Sequence, residues 1–457
     1  MKNSVKVIET CRDTKDRLHV KRPVKLRTDA LEQENKLINI YSGVKYQAVE
    51  GFGGAFTEAS CATLDKLPAE KRKEILTAYF DKEKGIGYNF CRTHINSCDY
   101  ALEEYTYDEV EGDFELRHFS IERDTKSLIP MIRDAFSIAP DMKLFASPWS
   151  PPRWMKTNGE MLNGGKLKKE CYGVWASYFA KYIREYQSHN IDIWGITVQN
   201  EAKAVQPWES CVYTAEEERD FVRDYLGPIL KENGLENIKI ILWDHNKERI
   251  VERSQVAFGD SVAAEYIDGM GVHFYSGDHF EALRITHELF PGKNIYGTEA
   301  CTRQNLENPW FSGERYAHDI MGNFNNWSCA WTDWNLLLDE NTGPSHWREE
   351  QIALGDRGVY WFGNSPVMAD TRTGEVTYGA AYYYMGHFSK FVKRGARRLG
   401  ISTYTPKLEA IAFENPDGQR VAVVMNRADA EQEFTLRIDG GIADFNAKPH
   451  SILTLLF

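Results

Sequence analysis

Eight short apolar runs, each followed by a longer amphipathic stretch, recur between about residues 46 and 390 and leave this chain few folds to choose from. The runs are 48–54, 88–94, 142–148, 193–200, 239–244, 270–275, 294–299 and 329–335. Between them, stretches such as 69–79, 172–187, 215–232, 278–290 and 314–325 carry apolar residues at spacings of three and four, the helical period. Strands that alternate with helices build a parallel sheet, and eight such units predict a closed (β/α)8 barrel.

The two ends of the chain read differently. Residues 391–457 hold short alternating segments at 410–414, 420–426, 433–438 and 451–457, broken by the turn sequences Asn415-Pro-Asp-Gly418 and Asp439-Gly-Gly441. That is an antiparallel module too short to close a sandwich unaided, and the strand-like Val5-Lys-Val-Ile8 and Leu37-Ile-Asn-Ile40 supply what it lacks. The expected fold is α/β: a barrel over 46–390 with an attached antiparallel β-sandwich built from residues 1–45 and 391–457. A length of 457 residues accommodates one large barrel with an appendage.

Charge narrows the partners. The formal net charge is -12, spread without long single-sign blocks, which argues against nucleic acid or an anionic membrane and for a neutral ligand. No run of about 18 apolar residues suits a membrane span, and the first residues lack the apolar core of a signal peptide, so a cytoplasmic chain without membrane insertion is expected. Eight cysteines without C-x-x-C pairs are expected to be free, buried thiols. Among the aromatics, 12 Trp and 23 Tyr, many fall near the strand ends, where rings stack on sugar faces.

Those strand ends carry the chemistry. In a (β/α)8 barrel the active site is built at the C-terminal ends of the strands, and here they offer Arg92 and His94, Ser147 and Trp149, Asn200 and Glu201, Trp243 and Asp244, His273 and Tyr275, Glu299, and Trp331 and Trp334. Glu201 and Glu299 stand among Trp, Tyr, Asn and Gly rather than among other charges, a setting that costs stability unless the carboxylate is bonded or functional. Two carboxylates in unlike environments equip a site for glycoside hydrolysis: burial raises the pKa of an acid, Glu201, while Arg92 holds Glu299 ionised. His94, His245, His273 and Asp244 lack close metal-ligand spacing and are read as structural or substrate-orienting, so no metal and no cofactor are expected. Lys203 has no marked desolvation to suit Schiff-base chemistry, and Gly51-Phe-Gly-Gly54 lacks the ending of a phosphate loop.

Several segments resemble glycoside hydrolase family 30, the glucosylceramidase-like group of retaining β-glycosidases. They are Gly51-Phe-Gly-Gly-Ala-Phe-Thr-Glu58, Ser97-Cys-Asp-Tyr100, Ala146-Ser-Pro-Trp-Ser-Pro-Pro-Arg-Trp-Met-Lys-Thr-Asn158, Thr197-Val-Gln-Asn-Glu201, Gly297-Thr-Glu-Ala-Cys301, Trp331-Thr-Asp-Trp-Asn335 and Gly386-His-Phe-Ser-Lys-Phe391, in order along most of the barrel. The resemblance implies that Glu201 is the acid/base and Glu299 the nucleophile, and that Arg92, Asp99, Trp149, Asn200, Tyr275 and Trp334 line the sugar subsite. His273 and Trp331 join these substrate-binding candidates from their strand ends. The chain departs from the family pattern at Ala202, where a proline is usual, and over 340–366, a charged, aromatic loop expected to rim the cleft.

The expected function is an exo-acting retaining β-glucosidase working on a carbohydrate or glycoside. β-Xylosidase, β-fucosidase and endo-β-1,6-glucanase activities are alternatives within the same chemistry. A non-catalytic carbohydrate-binding barrel and a barrel lyase or isomerase are alternatives of other classes.

Overall fold

The computed structural model describes residues 4–302, 308–347 and 363–457. Eight parallel strands close on themselves: Gly51–Phe56, Phe90–Ile95, Lys143–Pro148, Ile193–Thr197, Lys239–Asn246, Ile267–His273, Asn294–Glu299 and Ser328–Asn335, with the last paired to the first. Each expected run is one of these strands, displaced by at most three residues at either end.

The glycines of the first strand are required by how closely its neighbour lies. A Cβ on Gly53 would stand 2.0 Å from the carbonyl oxygen of Phe90, which no side chain tolerates. The barrel floor is apolar, filled by Phe90, Phe145, Ile241, Tyr296, Cys329 and Ala330, with the Phe90 and Tyr296 rings stacked 5.9 Å apart. Side chains alternate across a strand, so the residues two positions beyond Phe90 and Phe145, Arg92 and Ser147, lie on the same inner face one layer higher. The site begins there.

The helices fall where the period placed them, at Ala69–Phe80, Tyr172–Ser188, Phe280–Leu289 and Phe311–Asn325. The stretch expected as one helix over 215–232 is instead two α segments, Ala215–Phe221 and Gly227–Glu232, joined by a π-helical turn at Val222–Leu226. Pro228 has no N–H to give, and the Gly227 N–H turns to the Val222 carbonyl, the wider pairing that absorbs the mismatch. Thr214 and Glu217 form a capping box at the start of this unit.

Both chain ends build the second sheet, as expected. Ser4–Cys11 pairs with Ser451–Leu456, and Leu37–Ala48 lies between Arg397–Thr403 and Gln432–Ile438. The pairing of Leu37–Ala48 with Gln432–Ile438 is parallel in an otherwise antiparallel sheet, since a strand from the other end of the chain needs no tight turn to reach it. Val5, Val7, Ile38, Ile40, Leu436 and the stacked Phe434 and Phe445 form its core. His387, on helix Ala380–Ser389, ties the two units together: its Nδ1 lies 2.8 Å from Thr454 Oγ1 and its Nε2 2.9 Å from Thr10 Oγ1. A small sheet of Leu338–Asp339, Val367–Asp370 and Glu375–Tyr378 was not foreseen.

All eight cysteines are free, and seven are buried. Among the described residues no helix is long and apolar enough to cross a membrane.

Candidate active site

Arg92 is fully buried and joins five strand ends. Its Nε donates to Ser147 Oγ at 3.0 Å; one terminal nitrogen donates to Glu299 Oε2 at 2.6 Å, the other to Asn200 Oδ1 at 3.0 Å and Asp244 Oδ2 at 2.7 Å. A guanidinium out of water needs such partners: removing one side of a buried ion pair costs about 3–5 kcal/mol. By accepting from Arg92, the Asn200 amide oxygen is fixed and its NH2 group turned away from the hub.

Glu299 is held on both oxygens. Arg92 takes Oε2, and the Tyr275 hydroxyl donates to Oε1 at 2.6 Å from the rim, where Tyr275 remains 38% exposed. His273 stands between the two glutamates: its Nδ1 lies 3.3 Å from Glu201 Oε1 and 3.7 Å from Glu299 Oε1, so those oxygens are at most about 7 Å apart. Its Nε2 lies 2.9 Å from Asp244 Oδ1. Burial works against a charged imidazole, yet Glu299, Asp244 and Glu201 hold His273 up at about 9.

Here the electrostatics differ from the sequence expectation. Burial does push Glu201 upward, but the imidazoles of His245 and His273 that face it outweigh this, and its carboxyl lies below the ordinary range. The sequence placed Glu201 in an aromatic cleft without showing that two imidazoles converge on it. With His273 raised and Glu201 lowered, the proton between them is favoured on His273.

The His245 imidazole reaches Glu201 through a backbone irregularity. Trp243 and Asp244 have left-handed φ values of 72° and 44°, and the pairing of their strand with Ile267–His273 shifts register between Leu242 and His245. In a regular strand Asp244 and His245 would point to opposite faces; with this bulge both turn into the site. Glu201 is left-handed too, at φ 49°, and its N–H is bonded to the Asp244 carbonyl at 2.8 Å. Asp244 accepts from Arg92 and from Thr197 Oγ1, and its carboxyl lies below the ordinary range: burial pushes it up, and Arg92 and His273 pull it down further. Asp244 and His245 were read from the sequence as structural or substrate-orienting and were not assigned to the sugar site. The signal for Asp244 was its place at the end of an apolar run, like the two glutamates; for His245 strand alternation pointed the wrong way.

Trp149 and Trp334 stack on each other at 4.9 Å and 22°, with the Arg92 guanidinium 4.7 Å and 5.5 Å from their rings. The two rings face each other and are almost fully buried. Asp99 has one buried carboxyl oxygen without a hydrogen-bond partner. Burial, with the charges of Glu299, Glu209 and Glu201, pushes its carboxyl well above the usual range. Trp331 is a correction: its indole N–H donates to Asp319 of helix Phe311–Asn325 at 2.8 Å and its ring meets Tyr316, so it packs in the layer between barrel and helices. Three positions before Trp334 on one strand is an odd step, and an odd step changes face. His94 is also structural, accepting from the Glu58 N–H at 3.1 Å.

Of the loop expected to rim the cleft, residues 348–362 lie outside the described residues. Its described flank does reach the site: Ser345 Oγ donates to the Asp99 carbonyl, and the His346 N–H to that of Ala101 at 3.0 Å.

The chain matches the glycosyl hydrolase family 30 TIM-barrel domain over residues 49–392 and the family 30 beta sandwich domain over residues 395–455. It is 36% identical to putative glucosylceramidase 3 of Caenorhabditis elegans over 97% of this chain and 86% of that one. The crystal structure of SrfJ from Salmonella typhimurium superposes with a TM-score of 0.94 at 33% identity, covering 99% of both chains. The endo-beta1,6-glucanase BT3312 superposes at 0.86 with 26% identity, again covering 99% of each. With both domain matches spanning nearly the whole chain and two carboxylates facing each other across one histidine, this protein is a glycoside hydrolase belonging to glycosyl hydrolase family 30.

Proposed function

We propose that the chain is a retaining, exo-acting β-glucosidase. The observation that carries this reading is the placement of Glu201 and Glu299 on either side of His273 Nδ1. Carboxyl groups about 5–5.5 Å apart allow direct attack on the anomeric carbon, whereas a separation of about 6.5–9.5 Å leaves room for a water. The bound of about 7 Å between the two oxygens is reached only if all three atoms lie on one line, and any bend at His273 brings them toward the shorter, retaining separation.

Glu299, oriented on both oxygens, attacks the anomeric carbon; the C1–oxygen bond to the leaving group breaks, and that oxygen takes the proton held between His273 and Glu201, delivered from Glu201. Positive charge growing at the anomeric carbon beside Glu299 weakens the field that keeps the proton on His273, which favours its transfer to Glu201 when it is needed. Water then attacks the glycosyl–Glu299 ester, with Glu201 as base. The Asn200 NH2 group, freed by the Arg92 bond to its oxygen, donates to the sugar 2-hydroxyl. Trp149 and Trp334 carry a sugar face, and the unpartnered Asp99 oxygen meets a hydroxyl far from the scissile bond.

Proton NMR of the first product from an aryl β-glucoside tests the mechanism: β-glucose should appear first and mutarotate, and initial α-glucose would overturn retention. An endo-β-1,6-glucanase is the second reading, favoured by the likeness to BT3312. Internal cuts in a β-1,6-glucan with slow release of free glucose would move the assignment there.

A further inference from the structure

Glu201, His245 and His273 each offer a donor atom within 4.8 Å of the other two. His273 Nδ1 and His245 Nδ1 lie 3.3 Å and 3.5 Å from the same oxygen, Glu201 Oε1. Charge-assisted N–H···O bonds run about 2.7–2.9 Å, so both contacts are long. His245 Nδ1 is buried and has no hydrogen-bond partner at all. Donor atoms held tetrahedrally at about 2.0–2.1 Å from one zinc ion would instead be about 3.3 Å apart, which matches both contacts.

The surroundings complete the pattern. A ligating histidine usually gives its other ring nitrogen to a carboxylate, which fixes the tautomer and aims the lone pair; His273 Nε2 meets Asp244 Oδ1 at 2.9 Å, leaving Nδ1 to face Glu201. The three ligands stand on rigid positions at the ends of successive barrel strands, with His245 turned inward by the backbone bulge. We propose that Glu201, His245 and His273 form an inhibitory site for a divalent transition cation of the zinc type. The fourth position of the cation opens toward the sugar subsite. Metal and substrate then exclude each other, and Glu201 is unavailable as an acid while the metal is bound. The two-nitrogen, one-oxygen ligand set selects zinc or copper over magnesium or calcium.

The experiment is calorimetric titration of the full chain with ZnCl2 alongside MgCl2, with cobalt(II) absorption as a second readout. One zinc per chain, no magnesium binding, and a tetrahedral cobalt spectrum without thiolate charge-transfer bands are expected. His245→Gln should weaken zinc about 100-fold, and His245→Asp, which returns an oxygen donor, should regain part of that loss. Both variants are checked for native melting so that misfolding is not read as metal loss, and either one alone decides the point if the other fails to fold. Unchanged zinc affinity in a folded variant, or cobalt bands from cysteine thiolate, would overturn the site. These readouts do not depend on turnover, so they stand even if the chain is inactive on glucosides. In an active preparation, zinc should inhibit competitively and a chelator should restore the rate; non-competitive inhibition with unchanged KM would overturn the exclusion of substrate.

Discussion

At the residue scale the site separates two glutamates by what holds them: Glu299 by a guanidinium and a phenol, Glu201 by two imidazoles. Their losses should differ in kind. Glu299→Gln should cut kcat on every β-glucoside by about a thousandfold or more, since no nucleophile remains. Glu201→Ala should do comparable damage only where the leaving group is a poor one and spare dinitrophenyl glycosides, which need little proton donation. A Brønsted plot of kcat against leaving-group pKa for the two variants checks this, and equal slopes would exchange the roles. Asp99→Ala should lower kcat/KM on nitrophenyl glucoside by more than about tenfold, the cost of one strong hydrogen bond at roughly 1.5–3 kcal/mol. Its effect on the matching xyloside, which lacks the 6-hydroxymethyl group, should be smaller; equal losses on both would remove Asp99 from hexose recognition.

At the element scale, local backbone chemistry sets what a strand presents. The bulge at Trp243 and Asp244 brings consecutive side chains into one cleft, and the glycines of Gly51–Phe56 let that strand lie against Phe90. Gly53→Ala should therefore destabilise the protein by at least about 3 kcal/mol, because the new Cβ strikes backbone that cannot give. Gly259→Ala is the matching control, placed at the end of helix Ile250–Gly259 with nothing within 4 Å of the added carbon. It should be neutral or stabilising by up to about 1 kcal/mol, since it only narrows the unfolded ensemble. Denaturant midpoints of the pair measure both, and a neutral Gly53→Ala would mean the barrel wall yields more than its packing suggests.

Across the whole molecule, the sandwich depends on chain ends far apart in sequence: Leu37–Ala48 is flanked on both sides by C-terminal strands. Deleting residues 1–40 removes interior strands and should leave insoluble or unfolded protein; a soluble truncation with unchanged Tm would contradict that dependence. The junction should also be acid-labile. Buried among Thr10 and Thr454, His387 stays neutral, its pKa pushed down by burial to about 3, whereas in the unfolded chain it titrates near 6.5. Between those values only the unfolded state takes the proton, so the stability His387 contributes is complete above about pH 6.5 and is lost as pH falls toward about 3. In His387→Gln the slope of stability against pH should be shallower over that window, measured as urea midpoints at pH 7 and pH 5. An unchanged slope would place the acid sensitivity elsewhere.

What the sequence determined by itself were the features local in the chain: eight apolar runs with a helical period between them, turn sequences in the C-terminal segment, and carboxylates at the ends of two of the runs. Such patterns record which residues a short element must bury, and burial is written in spacing. The sequence also placed Arg92, Asn200 and Tyr275 at strand ends that the barrel gathers into one cleft. What only the tertiary structure decided depends on atoms distant in sequence. Two imidazoles lower Glu201 against burial, three carboxylates and burial raise Asp99, and Trp331 turns outward to Asp319 instead of toward a sugar. Asp244 and His245 face the same cleft only because left-handed backbone breaks the two-residue alternation from which strand faces are read. Charge acts through space and side-chain direction through local dihedrals, so both became visible only once the eight strand ends were brought around one centre.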